Sequence, residues 1–457
     1  MKKMFALVLA LAMALSLAAC GGGNDTPPSN NGGNPPATTP GADSTPAPAA
    51  PDGASGSVYW LNFKPEADAD LQKIAQTYTS ETGVPVKVVT AASGTYESTL
   101  TAEMDKSSAP TLFVVGNAAA VKTWDSYCYD LNGTDIYNEL STDSFTLRNA
   151  DGKVCSIGYC YESFGIIVNK ALLEQAGHSL DEITNFESLK AVAEDIHARA
   201  GELGFDAFTS SGLDDSSSWR FSGHLANMPL FYQSRDAGGW TECPATISND
   251  YLDNFKAIWD LYINNSAADP SSLATSGYDA EAEFGTGKAV FYQNGTWEYS
   301  NLVTSDETGY HMNPDDLAMI PIYCGVDGEE NAGLCSGTEN CWAVNANASE
   351  EDIKATIDFM VWLATSDAGT KVMAEQFGPI PYKGAAATGN VFFNDANKYM
   401  SAGNYTVDWT FNYTPNVNDW RAAVVNAMVQ YCAGGDWANV ETAMVAGWAS
   451  QYQAANG

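Results

Sequence analysis

Basic residues are scarce in this chain: 21 Lys and Arg stand against 56 Asp and Glu, for a formal net charge of −35. A surface that negative repels phosphate backbones, which argues against nucleic acid as a partner and disfavours anionic ligands, but not neutral or cationic ones. Histidine is scarcer still, with four residues (His178, His197, His224, His311) scattered singly, and no Cys-x-x-Cys occurs. Neither a zinc site nor any other metal centre is spelled out, and each lone histidine is expected at the surface or as a cap. Hydrolase signatures are missing too: there is no Gly-x-Ser-x-Gly, no His-Glu-x-x-His and no cysteine beside a histidine. Gly285-Thr286-Gly287-Lys288 has neither the spacing nor the following Ser/Thr of a phosphate loop, so it is read as a turn before a strand, and no cofactor is implied. No repeat of solenoid length is visible.

Long apolar runs are also absent. The one candidate, residues 4–17, comes after Lys2 and Lys3 and ends in Leu17-Ala18-Ala19-Cys20. A basic start, a short apolar stretch and small residues before a cut describe a secretory signal rather than a membrane span. Its end resembles a bacterial lipobox, which implies cleavage after residue 19 and lipid on Cys20. Residues 21–56 then contain no Val, Ile, Leu, Met, aromatic, Lys or Arg. Such a segment cannot bury enough apolar area to offset the entropy of ordering it. It is expected to be a disordered tether (20–56), a coil reaching roughly 30 to 36 Å.

The body from Ser57 onward is globular in composition, and its roughly 400 residues exceed one ordinary core and suit two lobes. A strand at 58–61 leads to Lys64-Pro65-Glu66, with proline and acid at a helix start, and then to Leu71, Ile74, Ala75 and Tyr78 at helical spacing before Gly83. Strands at 84–89 and 111–115, with a helix at 96–106 between them, continue a β-α-β-α-β run that argues for a parallel sheet with covered faces. Further amphipathic stripes are Phe186, Leu189, Val192, Ala193 and Ile196, then Ile353, Ile357, Met360 and Ala364. Two more close the chain, Trp420, Val424, Met428 and Tyr431, then Val440, Met444, Gly447 and Trp448. Eight cysteines lie in the body, and sequence alone picks no pairing among 105.

Ligands of open α/β sheets gather outside the carboxyl ends of strands. The loops there are 62–66, 91–96 and 116–121, rich in small and amide residues. Aromatics also sit beside polar partners: Trp124 with Asp125, Trp219 with Arg220, Trp297 with Glu298, Trp342 with Glu339 and Asn340, and Trp409 with Asp408. A pyranose offers an apolar C–H face to an indole and hydroxyls to carboxylates, amides or Arg. Most tryptophans fill cores, and Trp420, Trp437 and Trp448 on helical stripes are assigned there. Trp297 differs, because it comes after a strand-ending Asn294-Gly295 and precedes an acid, as a cleft-facing turn requires.

Together these features resemble the family 1 extracellular solute-binding proteins, carbohydrate-binding lipoproteins that feed ABC importers. The resemblance rests on residues 58–66 (VYWLNFKPE), 164–170 (FGIIVNK), 287–290 leading to 294–297, 336–340 (SGTEN) leading to 343–345, and the helix at 359–369. It implies an α/β, two-lobed periplasmic-binding-protein-like fold with interlobe crossover strands and a central ligand cleft. Crossings are expected near Gly165, at 339–342 and at 395–400. That would divide the chain into a signal peptide (1–19), the tether, a first lobe (57–165 plus 342–397) and a second lobe (166–341 plus 398–457). Carried over, Asn62, Lys64, Glu66, Ser93, Tyr96 and Asn117 would line the first-lobe wall, with Tyr161 and Glu162 beside the hinge. Trp219, Arg220, Asn294, Trp297, Glu298, Glu339 and Asn340 would complete the pocket, with Trp409 and Phe411 as further candidates. The implied partners are a neutral sugar or oligosaccharide, ABC permease subunits with a separate ATPase, and the outer face of the cell membrane through Cys20. The eight body cysteines exceed the family's usual number, and Cys160 and Cys341 beside the hinge read better as free thiols. A tethered glycoside hydrolase stays open as a competing reading, since 56 acids place some carboxylate pair at catalytic spacing by chance. So does an adhesive lipoprotein with no pocket.

Overall fold

The computed structural model describes residues 55–457 apart from Ser93, Thr142, Asp215, Ser216, residues 274–277, Glu339 and Pro379. The signal peptide, Cys20, nearly all of the tether, and the wall candidates Ser93 and Glu339 therefore lie outside the described residues.

Twelve strands form two sheets among the described residues. The first is built from β1 (Val58–Asn62), β2 (Val86–Thr90), β3 (Leu112–Val114), β4 (Thr146–Arg148) and β5 (Val154–Gly158), with a late strand from far along the chain. The second holds β6 (Glu162–Asn169), β7 (Asp206–Phe208), β8 (Ala289–Gly295), β9 (Leu317–Ile320), β10 (Ala332–Gly337) and β12 (Tyr405–Asp408). The late strand is β11 (Cys341–Val344), so the first sheet runs β2-β1-β3-β11-β5-β4, and the second β12-β10-β6-β8-β7 with β9 on β6.

In the first lobe β1 pairs parallel with both β2 and β3, as the β-α-β-α-β run predicts. The helix Asp68–Thr82 forms where the stripe places it. Asp68 and Asp70 sit at its positive end, Leu71, Ile74, Ala75 and Tyr78 are buried, and Gly83 ends it at φ 77°. Under the sheet Trp60 meets Trp342 edge-on at 6.0 Å, and Tyr159 stacks on Trp342 at 4.5 Å. All three are wholly buried, so Trp342 is core rather than wall. Trp420, Trp437 and Trp448 are core as expected.

The chain passes between sheets at 159–161, 338–340 and 378–390. The first two links lie side by side, because β11 is antiparallel to β5 and β10 to β6. Tyr159 N donates to Asn340 O at 2.9 Å, and Tyr159 OH to Asn340 Oδ1 at 3.2 Å. The chain leaves the first sheet several residues before Gly165. The third link also falls earlier than the expected 395–400: Pro381 and Lys383 still bond Ser141 and Glu139, while Asn390 already donates to Thr296 O at 2.7 Å. The apolar residues Phe392 and Ala396 decide this, since they pack with Ile167, Tyr292 and Met319 of the second lobe.

Gly165 is fixed by sheet packing. A Cβ there would run into the Ile320 carbonyl on β9, with Met319 and Leu334 behind it. Gly165→Ala is expected to destabilise the fold by ~1–3 kcal/mol in denaturant unfolding, through overpacking of a central strand. A stability equal to wild type would show that β6 and β9 separate freely.

Candidate functional site

The site grows from the end of β1. Asn62 is wholly buried and folds onto the adjoining loop, donating to Lys64 O at 2.6 Å and Thr90 Oγ1 at 3.1 Å while accepting from Lys64 N at 3.1 Å. Pro65 opens a single 3-10 turn, Pro65–Ala67, and the two features together turn the Lys64 side chain inward. Its ammonium, on a residue only 3% exposed, meets Glu162 at the start of β6 and lies 3.7 Å from Glu66. Asn340 Nδ2 donates to the other Glu162 oxygen at 2.7 Å. Lys64 Nζ also stands 5.3 Å from the Phe377 ring centre and 5.8 Å from that of Trp297. One cation thus joins the first lobe, both crossing strands and a second-lobe indole. Burial alone would push this ammonium down, but Glu162 and Glu66 override that and hold it above the ordinary lysine value.

The opposite wall comes from the end of β8 and from a π-helical turn, Arg220–Leu225. Pro229, just inside the helix Ala226–Asp236, offers no N–H to the Leu225 carbonyl, a local cause for the widened turn that precedes it. The turn presents Trp219, Arg220 and His224. His224 stacks on Phe164 at 3.8 Å, and Trp297 lies 5.6 Å from His224 and 6.2 Å from Trp219. Both indoles are half-buried. Gly295 is required here, because a Cβ would strike the Trp297 ring. Burial, then the guanidiniums of Arg220 and Arg421, push His224 well below the ordinary imidazole value, so it is a neutral ring.

Behind the indoles is a polar cluster. Arg220 lies over Trp219 at 4.5 Å and donates to Tyr292 OH at 3.0 Å. Asn294 Nδ2 donates to the same hydroxyl at 2.7 Å, and the hydroxyl donates to Glu298 Oε1 at 3.2 Å. Glu298, 5% exposed, faces Glu281, which accepts from Asn301 Nδ2 at 3.0 Å. Burial first, then the Glu281 carboxyl, push Glu298 up to about 8 against the pull of Arg220, and burial raises Glu281 as well. The two carboxyls hold a proton between them at neutral pH.

The structure therefore brings together Lys64, Glu66, Glu162, Asn340, Trp219, Arg220, Asn294, Trp297 and Glu298. Other expected wall residues are committed elsewhere. Tyr96 is buried, with its hydroxyl accepting from Val114 N at 2.7 Å and donating to Leu61 O at 3.3 Å. Asn117 caps the helix Ala118–Trp124 through Ala120 N at 2.8 Å, Tyr161 packs edge-on against Phe145, and Trp124 is buried. Trp409, 7% exposed, donates to Cys335 O at 3.0 Å and backs the wall with Phe411. Sequence reasoning missed Phe164, His224, Glu281, Tyr292 and Phe377, which are neighbours only in space. It also passed over Phe63, exposed beside Lys64 and edge-on to Tyr96, whose place after a strand end was a usable signal. Two shallow hollows of about 280 and 270 Å³ lie away from this cluster, against Asp260 and Tyr431 and against Arg235 and Asp327. Each sets one tyrosine beside polar groups but has no indole.

Residues 73–400 match the family model described as bacterial extracellular solute-binding protein. The chain belongs to that family. Members bind solutes without transforming them, which removes the hydrolase reading and gives this solute-binding protein an extracellular or periplasmic place. Its fold is shared with solved structures at low identity. The solute-binding protein RafE in complex with raffinose has a TM-score of 0.67 at 17% identity, covering 87% of this chain and 99% of that one. A chitin oligosaccharide binding protein gives 0.64 at 18%, covering 88% and 99%, and a family 1 protein from Bifidobacterium longum subsp. infantis gives 0.59 at 18%, covering 87% and 100%. No curated protein sequence matches the solute-binding protein.

Glu298 makes its stability pH-dependent. The folded value near 8 lies above the ordinary 4.5, so the folded state keeps a proton that the unfolded chain has lost, and stability falls as pH rises from about 4.5 to about 8. Arg220, Tyr292, Tyr310 and Glu281 face this carboxyl and stay in place in Glu298→Gln. The variant's melting temperature is expected to gain on wild type steadily between pH 5 and pH 8.5. An offset that does not change with pH would contradict the shared proton.

Proposed function

We propose that this solute-binding protein is a lipid-anchored receptor on the outer face of the cell membrane. It captures a neutral sugar or oligosaccharide between its lobes and hands it to the permease subunits of an ABC importer driven by a separate ATPase. The observation that carries this reading is the pair of half-buried indoles, Trp219 and Trp297, with Arg220, Asn294 and Glu298 behind them and Lys64 and Glu66 across from them. Apolar ring faces beside hydrogen-bonding groups suit a pyranose.

Charge supports a neutral ligand. Lys64 is already compensated by Glu162 and Glu66, the carboxyl pair is partly protonated, and the net charge is −35. The named ligands of proteins with this fold agree in class: raffinose for RafE, chitin oligosaccharide for another, and stachyose for a sugar transporter protein from Bacillus licheniformis. The anchor and tether rest on Lys2, Lys3, the apolar run to Leu17 and Leu17-Ala18-Ala19-Cys20, with a stretch without apolar anchors after it. Binding energy would come from contacts that only both lobes together supply, so the ligand selects the closed form. Two stacked rings and a few charge-assisted hydrogen bonds total about −8 kcal/mol, the micromolar range.

Calorimetry with raffinose, stachyose and chitin oligosaccharides tests this. At least one is expected to bind with micromolar affinity, and Trp297→Ala to weaken it about tenfold or more through lost stacking and buried area. Silence across neutral saccharides, or binding unchanged in Trp297→Ala, would overturn the proposal.

A further inference from the structure

Two cysteines of the first lobe lie against one turn. Cys155 lies on β5, and Cys128 comes directly after the turn Asp125–Tyr127. Cys128 Sγ also donates to Trp124 O at 3.3 Å, and Cys155 Sγ lies 3.6 Å from Asp125 Oδ1. Three hydrogen bonds tie the two segments together beside the pair. Leu131 N donates to Val154 O at 3.0 Å, Val154 N to Asp130 Oδ1 at 3.2 Å, and Lys153 Nζ to Cys128 O at 3.2 Å. Cys128 further bridges Asn345, so it is pinned to the end of β11 as well. The architecture thus brings the two segments together, and both thiols are free in this structure.

We propose that Cys128 and Cys155 are joined by a disulfide in the exported protein. Outside the cytoplasm thiols pair when geometry allows, and family membership places the body there. Two S–H bonds break and one S–S bond forms. Two protons and two electrons pass to an oxidant of the disulfide class, a protein or low-molecular-weight disulfide, which leaves as two thiols. Both thiols are buried, and burial pushes Cys128 up to about 12, so attack is slow once the lobe has closed. Oxidation therefore accompanies folding. The bond fixes the root of β5, the strand that runs into the first interlobe crossing, while leaving 159–161 itself free to bend.

The test is made on the full chain collected from the extracellular fraction, alkylated under denaturing conditions before any reduction, then digested and weighed. Cys128 and Cys155 are expected in one linked peptide, two hydrogens lighter than the pair, which alkylates only after reduction. Cys155→Ser is expected to leave Cys128 open to alkylation. Protein refolded with both thiols reduced is expected to melt on the order of 5 °C lower than the oxidised form, and the double variant Cys128→Ala/Cys155→Ala to melt at the reduced value with no response to reductant. Full alkylation of both residues without reduction, or linkage of either to another cysteine, would overturn the proposal, and the wild-type peptide map decides this even if the variants fail to fold. None of these readouts depends on which solute is bound.

Discussion

A lysine ammonium held almost out of water between two lobes is the constraint on which the arrangement depends. Moving such a charge from solvent costs several kcal/mol even after relaxation, and only close, hydrogen-bonded counter-charges offset it. Glu162, Glu66 and the Asn340 amide supply them, and each comes from a different part of the chain: the first crossing, the loop after β1 and the second crossing. The ion pair is satisfied only when these parts meet as they do here. Its strength as glue is modest against a hydrophobic equivalent, but it admits few alternative geometries, and that is what a hinge floor requires.

From that floor the two walls acquire different characters. The first lobe gives short polar loops braced by their own side chains, of which the Asn62 clasp on Lys64 is the clearest. The second lobe gives rings, and the rings are rigid because each has a buried partner: His224 on Phe164, Arg220 on Trp219, Trp409 against Phe411. Tyr292 links the indoles to the carboxyl pair through one hydroxyl with three hydrogen bonds. On the proposed reading, a wall of rings backed by a carboxyl pair that shares a proton suits uncharged polyhydroxylated solutes. Closing on one exchanges solvent for fixed dipoles with little reorganisation.

Much of this is legible in the residues. Lys64-Pro65-Glu66 announces a turn with charge at its start, and Asn294-Gly295-Thr296-Trp297-Glu298 announces an aromatic delivered by a strand end; both sit at the junction. Local pattern fails where tertiary contacts decide. Asn62 and Tyr96 look like ligand-facing residues, yet their polar atoms satisfy backbone groups that would otherwise be buried unpaired, a demand invisible without the neighbouring strands. A lone histidine such as His224 reads as a surface residue, but the widened turn before Pro229 rotates it into the wall. The third crossing reads late because the helix Val391–Ala402 has an apolar stripe that fits either lobe, and only packing against Ile167 and Tyr292 chooses.

The claim that the Lys64 ion pair sets how the lobes stand can be measured directly with labels on each lobe. Lys73 of the first lobe and Asp306 of the second both have exposed side chains. Spin labels on Lys73→Cys and Asp306→Cys report the separation by pulsed dipolar spectroscopy. The account predicts one narrow distance distribution in the protein with Lys64 intact, and a shifted and broader one when Lys64→Met is added. An identical distribution in both would contradict it.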